Sequence, residues 1–303
     1  NGNWSNTATW DGGTLPGVGD DVRPNGFAVT VDQNIDVVSL RNTAFAPAVA
    51  GGTFNFNTSA VTANISGNIV MDTAATSFIQ VTATTGLVTI NIPNGAIAGM
   101  TLANSTMISY SGNCNLTFTC ISFVGGALSS ASNVTFLSKT STGVFIFNGN
   151  ITGRAASNPG VGPSMILSTA STNTINGNIT GGGGASGTTG SQAVSISAGN
   201  LTINGNLIGG INSGGNGFAL AATTNGTISI VGSITGGSTS VAISQTVGTM
   251  NITGNIVGGS GNNAISTGGI LNITGNVTGV ATAINSSGTI TITGTITGGT
   301  SNG

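Results

Sequence analysis

One short phrase recurs through the second half of the chain and constrains the fold more than any other feature of the sequence. It reads L-T-I-N-G-N-L-I-G-G from Leu201, M-N-I-T-G-N-I-V-G-G from Met250 and L-N-I-T-G-N-V-T-G from Leu271. Apolar and polar residues alternate on either side of a central glycine, which is typical of short strands with one buried face. Units of this length cannot bury a core alone, so the repeat predicts a stack of similar coils.

The central glycines set the period of this repeat. Their spacing falls from 28 residues to 19 along the chain, while the apolar positions around them are kept. Asparagine follows most of these glycines, and Ser233 and Thr295 replace it in two copies. We expect a corner here, where glycine permits a sharp bend and stacked asparagines bond from coil to coil. The predicted corner residues are Gly149, Gly177, Gly205, Gly232, Gly254, Gly275, Gly294, Asn150, Asn178, Asn206, Asn255 and Asn276.

These patterns predict an all-β fold, a single-chain parallel β-helix or β-solenoid of about eleven coils with an N-terminal capping segment. Residues 1–43 are expected to form the cap and first strands, residues 44–144 irregular coils, and residues 145–303 the regular repeats. The sequence ends directly after a repeat, so we expect the parent chain to continue. In one late copy, the positions expected to point into the core are Leu271, Ile273 and Val277.

The first forty residues differ from the rest of the chain. They hold both tryptophans, Trp4 and Trp10, and five of the six acidic residues. Large aromatic side chains and surface charge at one end suit a cap that covers the first coil and blocks edge pairing. We therefore expect the two tryptophans to belong to the cap.

A spaced motif runs through this cap. Its residues are Trp4, Trp10, Gly12, Gly13, Pro16, Gly19, Asp20, Asp21, Val22, Val29, Thr30, Val31 and Asp32. The motif resembles the G8-type start of β-solenoid modules in bacterial surface proteins and phage structural proteins, over about 35 of the 303 residues. The resemblance implies a solenoid fold. For function it implies an adhesin, a fibre or a polysaccharide-acting protein.

Charged side chains make up only 3% of the chain, against about 25% in ordinary domains. There is no His and no Glu, and the 149 residues after Arg154 contain no ionisable side chain. A net charge of −2 offers no field for nucleic acid, and no apolar run approaches the ~20 residues that span a bilayer. We therefore expect no nucleic-acid partner and no membrane span.

The residues that catalysis and metal binding require are scarce. Sugar-cleaving enzymes need paired carboxylates, a Ser or Thr nucleophile needs a base, and calcium-binding nonapeptide repeats need an Asp in each copy. Asp20 and Asp21 could form such a pair, but with no His or Glu a turn-capping or surface pair is favoured. Cys114 and Cys120 fall on one face of a predicted strand, ~20 Å apart, too far for a disulfide. We expect no catalytic residue, no metal site and no cofactor.

Together these observations predict a non-enzymatic, extracellular structural β-solenoid on a virion or cell surface. A surface nearly free of charge favours packing against copies of itself. The expected partners are therefore like subunits, in a phage fibre, spike stem, capsid decoration or filament. The alternative is a bacterial cell-surface adhesin that binds a glycan or a cell-surface receptor.

A third class comprises an ice-binding protein, or a polysaccharide-acting enzyme whose active residues lie outside this segment. Flat threonine arrays can bind ice, and in the last coil Thr291, Thr293, Thr295 and Thr297 are expected on one face. An earlier coil has Asn204 and Ile208 among the corresponding residues. The sequence therefore predicts an irregular threonine array.

Overall fold

The computed structural model is a parallel β-solenoid in which each coil passes through up to three short strands. The structure describes residues 1–42, 51–71, 77–98, 105–124, 134–153, 164–183, 192–210, 217–238, 240–260 and 263–298. Equivalent strands of successive coils pair in parallel and form three ladders, which we call faces A, B and C in the order the chain visits them. The fold is therefore all-β, as the repeat predicts.

Face A is a twelve-stranded sheet. Its strands are Gly2–Asn3, Ala28–Thr30, Thr53–Phe56, Ser77–Val81, Ser105–Tyr110, Val134–Lys139, Met165–Leu167, Val194–Ile196, Leu220–Ala222, Ile243–Gln245, Ile265–Thr267 and Ile284–Ser286. A 3-10 helix, Thr7–Thr9, lies in the cap beside the first of these strands.

Face B follows face A in every coil after the first, in which the chain passes from Gly2–Asn3 on face A to Asp21–Val22 on face C. Its strands are Ile35–Val37, Val61–Ile65, Leu87–Ala98, Asn115–Val124, Phe145–Thr152, Thr172–Asn176, Asn200–Asn204, Thr227–Val231, Thr249–Thr253, Ile270–Thr274 and Thr289–Thr293. Face C contains Asp21–Val22, Ser39–Arg41, Ile69–Val70, Ile179–Thr180, Leu207–Ile208, Ile234–Thr235, Ile256–Val257, Val277–Thr278 and Ile296–Thr297. The ends of the three long face B strands also belong to face C.

A single hydrophobic core runs along the axis from Trp4 to Ala283. The expected inward residues Leu271, Ile273 and Val277 are buried. They stack in register on the equivalent residues of the preceding coil. Each such side chain contributes about 1.5–3 kcal/mol by leaving water, so the alternating pattern of the phrase stabilises every coil in the same way. The proposed division into residues 1–43, 44–144 and 145–303 stays a prediction.

The structure has about seven regular turns, marked by the corners from Gly149 to Gly294, rather than the eleven coils predicted. In the earlier coils, Gly67 and Gly95 lie at this bend without the φ near +150° that marks the regular corners. Leu87–Ala98 and Asn115–Val124 each continue from face B into face C as one strand, with shifts of register on the way. Near the cap the chain also bends at Val38, between Ile35–Val37 and Ser39–Arg41, and the Val38 amide donates to the Asp20 carbonyl.

Candidate functional site

The predicted corner glycines lie where the chain turns from face B to face C. All seven have a φ between +149° and +158°, a conformation that side chains with a Cβ rarely adopt. A Cβ on Gly177 would also lie 1.9 Å from the Gly149 carbonyl oxygen, and one on Gly254 would lie 2.1 Å from the Gly232 carbonyl oxygen. Backbone conformation and coil stacking therefore both require glycine at the corner.

The asparagines beside these glycines bond along the axis. The side-chain oxygen of Asn150 accepts the amide of Asn178 at 2.9 Å, and that of Asn178 accepts the amide of Asn206 at 2.9 Å. Further bonds join Asn206 to the Ser233 amide at 2.8 Å, Asn255 to the Asn276 amide at 3.0 Å, and Asn276 to the Thr295 amide at 2.9 Å. These side chains supply acceptors to backbone donors at the bend, so the corner is a structural element.

The N-terminal cap is built on the two tryptophans. Trp4 is fully buried, and Trp10 packs edge-on against it with ring centroids 4.7 Å apart. The Trp10 indole Nε1 donates to the Trp4 carbonyl at 2.9 Å. Asp32 fastens the cap to the first coil by accepting the Ser5 amide at 2.9 Å and the Ser5 hydroxyl at 2.5 Å. Burial raises the pKa of Asp32, but its hydrogen bonds, chiefly those from Ser5, outweigh this and leave the pKa lowered.

A cleft with a volume of about 1130 Å³ opens beside the cap. Apolar side chains and charged groups both line it, among them Trp10, Leu15, Val22, Phe27, Val29, Asp11, Asp20 and Arg23. Phe27 is 56% exposed and Leu15 is 39% exposed. The cleft therefore offers an aromatic ring next to hydrogen-bonding groups, a combination typical of small-ligand sites.

Most acidic side chains of the cap also bond within the fold. Asp20 accepts the Gly17 amide at 2.8 Å, which is the turn-capping contact that the sequence favours. Asp21 accepts the Ser39 hydroxyl and lies 3.5 Å from the Arg41 guanidinium. Within the described ranges, no three His, Cys, Asp or Glu side chains gather as metal ligands. Asp72 falls outside those ranges.

A buried lysine is the polar feature that sequence reasoning missed. Lys139 is fully buried, and its Nζ donates to the Ser141 carbonyl at 2.6 Å and to the Ser171 hydroxyl. It also lies 5.4 Å from the centre of the Tyr110 ring. Burial lowers the pKa of Lys139 to about 8 and raises the pKa of Tyr110 to about 12. The alternation of inward and outward residues along the strand could have indicated this position, because Lys139 falls two residues after the buried Leu137.

The two cysteines are free and buried. Burial raises the pKa of Cys114, and it raises that of Cys120 to about 12. The reactive thiolate is disfavoured at both positions. Both side chains pack in the core as small apolar groups.

Comparison of the chain with protein families, curated proteins and solved structures found no match. The β-solenoid is shown by the structure, whereas the G8-type assignment has no support from these comparisons. No helix within the described residues is long and apolar enough to cross a lipid bilayer.

Proposed function

We propose that this chain is a non-enzymatic, extracellular structural rod, a component of a phage virion such as a fibre, spike stem or capsid decoration, or a subunit of a filament. The observation that carries the proposal is the continuous stack of parallel strands on one core. The twelve strands of face A, spaced ~4.8 Å apart, give a rod of about 50 Å. The likeness of the cap motif to phage structural proteins supports the same proposal.

The contacts of the carboxylates favour a non-enzymatic role. Asp20, Asp21 and Asp32 each bond to a neighbouring turn or strand. Asp36 accepts the side-chain amide of Asn64 at 2.8 Å, which joins the first two coils of face B. These bonds give each of the four carboxylates a role in the fold, which supports a non-enzymatic function.

The outside of face C supports assembly from like subunits. Its outward positions in the regular coils are β-branched, and Ile208 and Val257 are 43% and 40% exposed. No ionisable side chain follows Arg154 in the sequence, so charge repulsion does not oppose side-by-side packing of this part of the rod. We expect face C to contact neighbouring copies.

Sedimentation velocity over a concentration series tests this proposal. We expect the purified chain to associate as its concentration rises, and Ile208→Lys to abolish association by placing a charge on face C. Ser195→Lys, an outward replacement on face A, is the matched control and should leave association unchanged. A chain that stays monomeric, or equal effects of the two variants, would contradict the proposal.

The cap cleft favours a second candidate, a cell-surface adhesin that binds a glycan. Sugar rings have an apolar face that packs on aromatic rings, and hydroxyls that bond to carboxylates and guanidinium groups. Phe27, Trp10 and Asp11 line the cleft together. Glycan-array binding that is lost in Phe27→Ala and kept in Val18→Ala, whose side chain is exposed outside the cleft lining, would support it. No binding to any glycan would exclude it.

A further inference from the structure

Two files of side chains run along the outside of face B, with one residue from each file in each of the ten coils from Val61–Ile65 to Thr289–Thr293. The first file is Thr62, Thr89, Thr117, Ile146, Thr174, Thr202, Ser229, Asn251, Asn272 and Thr291. The second file is Asn64, Asn91, Thr119, Asn148, Asn176, Asn204, Val231, Thr253, Thr274 and Thr293. All members except Ile146 and Val231 carry a hydroxyl or an amide.

Strand register makes these files regular. Members of a file are direct partners in the parallel ladder, so they repeat every ~4.8 Å along the axis, and two residues of strand separate the files by ~6.7 Å. The apolar residue between them, such as Ile203 between Thr202 and Asn204, is buried and holds the strand in place. The order is invisible when one coil is read along the sequence, because it exists only between coils.

The second file is also held in place by its own hydrogen bonds. The Asn176 side-chain amide donates to Asn148 at 2.8 Å, and that of Asn204 donates to Asn176 at 2.8 Å. In the first file, Asn272 donates to Asn251 at 2.9 Å. An amide has two donors and two acceptor sites, so each of these side chains keeps bonding capacity for the outside. The array is therefore preorganised, which lowers the entropy cost of binding.

The chemistry of the files restricts the partner. In the ten coils from Val61–Ile65 to Thr289–Thr293 neither file contains a charged side chain. Asp36, the ladder partner of Asn64, continues the second file by one coil toward the cap. Over the ten coils, electrostatic complementarity therefore does not select a charged partner. Neither contains an aromatic ring on which a sugar could stack. A matching partner is neutral, presents donors and acceptors in equal measure, and repeats at a fixed spacing close to that of the strands. Crystalline water has these properties.

We propose that face B is an ice-binding surface whose ligand is the water lattice of ice. Hydroxyls and amides at fixed spacing can each replace one lattice neighbour, and ordered water bridged to protein groups costs little free energy. Each contact is weak, but the contacts are tied together by the rod, so binding is multivalent. This inference is independent of the proposed assembly through face C.

Partition into slowly growing ice tests the proposal on the full chain. The variant is Thr202→Tyr, which puts a bulky ring into the first file. The matched control is Ser195→Tyr, which points outward from face A, and circular dichroism checks that both variants fold. We expect the wild type and Ser195→Tyr to enter the ice and Thr202→Tyr to remain in the liquid. Exclusion of the wild type from ice, or equal loss in both variants, would overturn the proposal.

Two further measurements separate loss of ice binding from misfolding and from contact between copies of the chain. If Thr202→Tyr does not fold, Thr202→Lys compared with Ser195→Lys provides the same contrast, and loss in Thr202→Lys alone is again expected. Sedimentation velocity identifies the competing occupant, a second copy of the chain. If Thr202→Tyr converts an associated wild type into monomers, face B is a contact between copies and the ice-binding proposal is wrong.

Discussion

Replacement of a corner glycine tests how the coils stack. At Gly254 the backbone φ is +151°, and an added Cβ would lie 2.1 Å from the Gly232 carbonyl oxygen and 2.6 Å from its carbon. The unfavourable conformation costs about 1–3 kcal/mol, and shifting the stack to relieve the overlap costs about 1–3 kcal/mol more. Gly254→Ala should therefore lower the free energy of unfolding by about 2–6 kcal/mol, a large part of a typical total of about 5–15 kcal/mol.

Chemical denaturation followed by circular dichroism measures this change. Gly17→Ala is the control, because an added Cβ there meets no atom within 4 Å, and it should change stability by less than about 0.5 kcal/mol. Hydrogen exchange should show faster opening at the Gly232 and Gly254 amides, which bond to the following coil. A loss in Gly254→Ala no larger than in Gly17→Ala would refute the stacked corner.

Three further predictions concern the core, the buried lysine and the cap. Ile273→Asp should prevent folding, because it buries an unpaired charge. Thr274→Asp, on the outside of the same strand, is the control and should fold. A soluble, folded Ile273→Asp protein would place that residue outside the core. Burial lowers the pKa of Lys139 from 10.5 to about 8. Between these two pH values the unfolded chain therefore binds more protons than the folded chain. The free energy of unfolding should rise with pH across this window by about 3 kcal/mol, and Lys139→Met should not show this rise. Denaturation midpoints at pH 7.5 and 10.5 measure this difference, and parallel curves for the two proteins would disprove it. The pKa of Asp32 is lowered on folding, so its stabilisation of the cap is present above its unfolded pKa and lost as pH falls through its folded pKa. Tryptophan fluorescence, which reports the cap because both tryptophans lie there, should change in acid in the wild type. The change should be absent in Asp32→Asn, which has no carboxyl to titrate; the same acid change in both proteins would contradict the role of Asp32.

The fold could be predicted because one rule is repeated in every regular coil. Alternation placed Leu271 and Ile273 inside, and the recurring glycine marked the bend, so local pattern and tertiary position agree. The irregular coils could not be counted in this way. Leu87–Ala98 crosses from face B to face C as one strand with a register shift between Ile92 and Ala96. Gly95 at this crossing does not have the φ near +150° of the regular corners, and the sequence does not show where one face ends.

Sites that depend on contacts between coils were harder to predict. Alternation from Leu137 indicates that Lys139 points inward, but the groups that accommodate its charge, the Tyr110 ring and the Ser171 hydroxyl, come from neighbouring coils. The outward files were predicted only in part for the same reason. Placing the four threonines of the last coil on one face is wrong, because Thr291 and Thr293 lie on face B and Thr297 lies on face C. The order between coils could not be seen, since Thr202 and Ser229 are 27 residues apart in the chain and adjacent on face B. Register between distant segments is set by the whole stack, which no single segment encodes.

Cryo-electron microscopy of the native particle or surface that carries the chain would test the structural role most directly. We predict a rod about 50 Å long with strands ~4.8 Å apart, present in many copies that contact one another through face C. A chain found only as isolated monomers, outside any assembly, would contradict the proposed function.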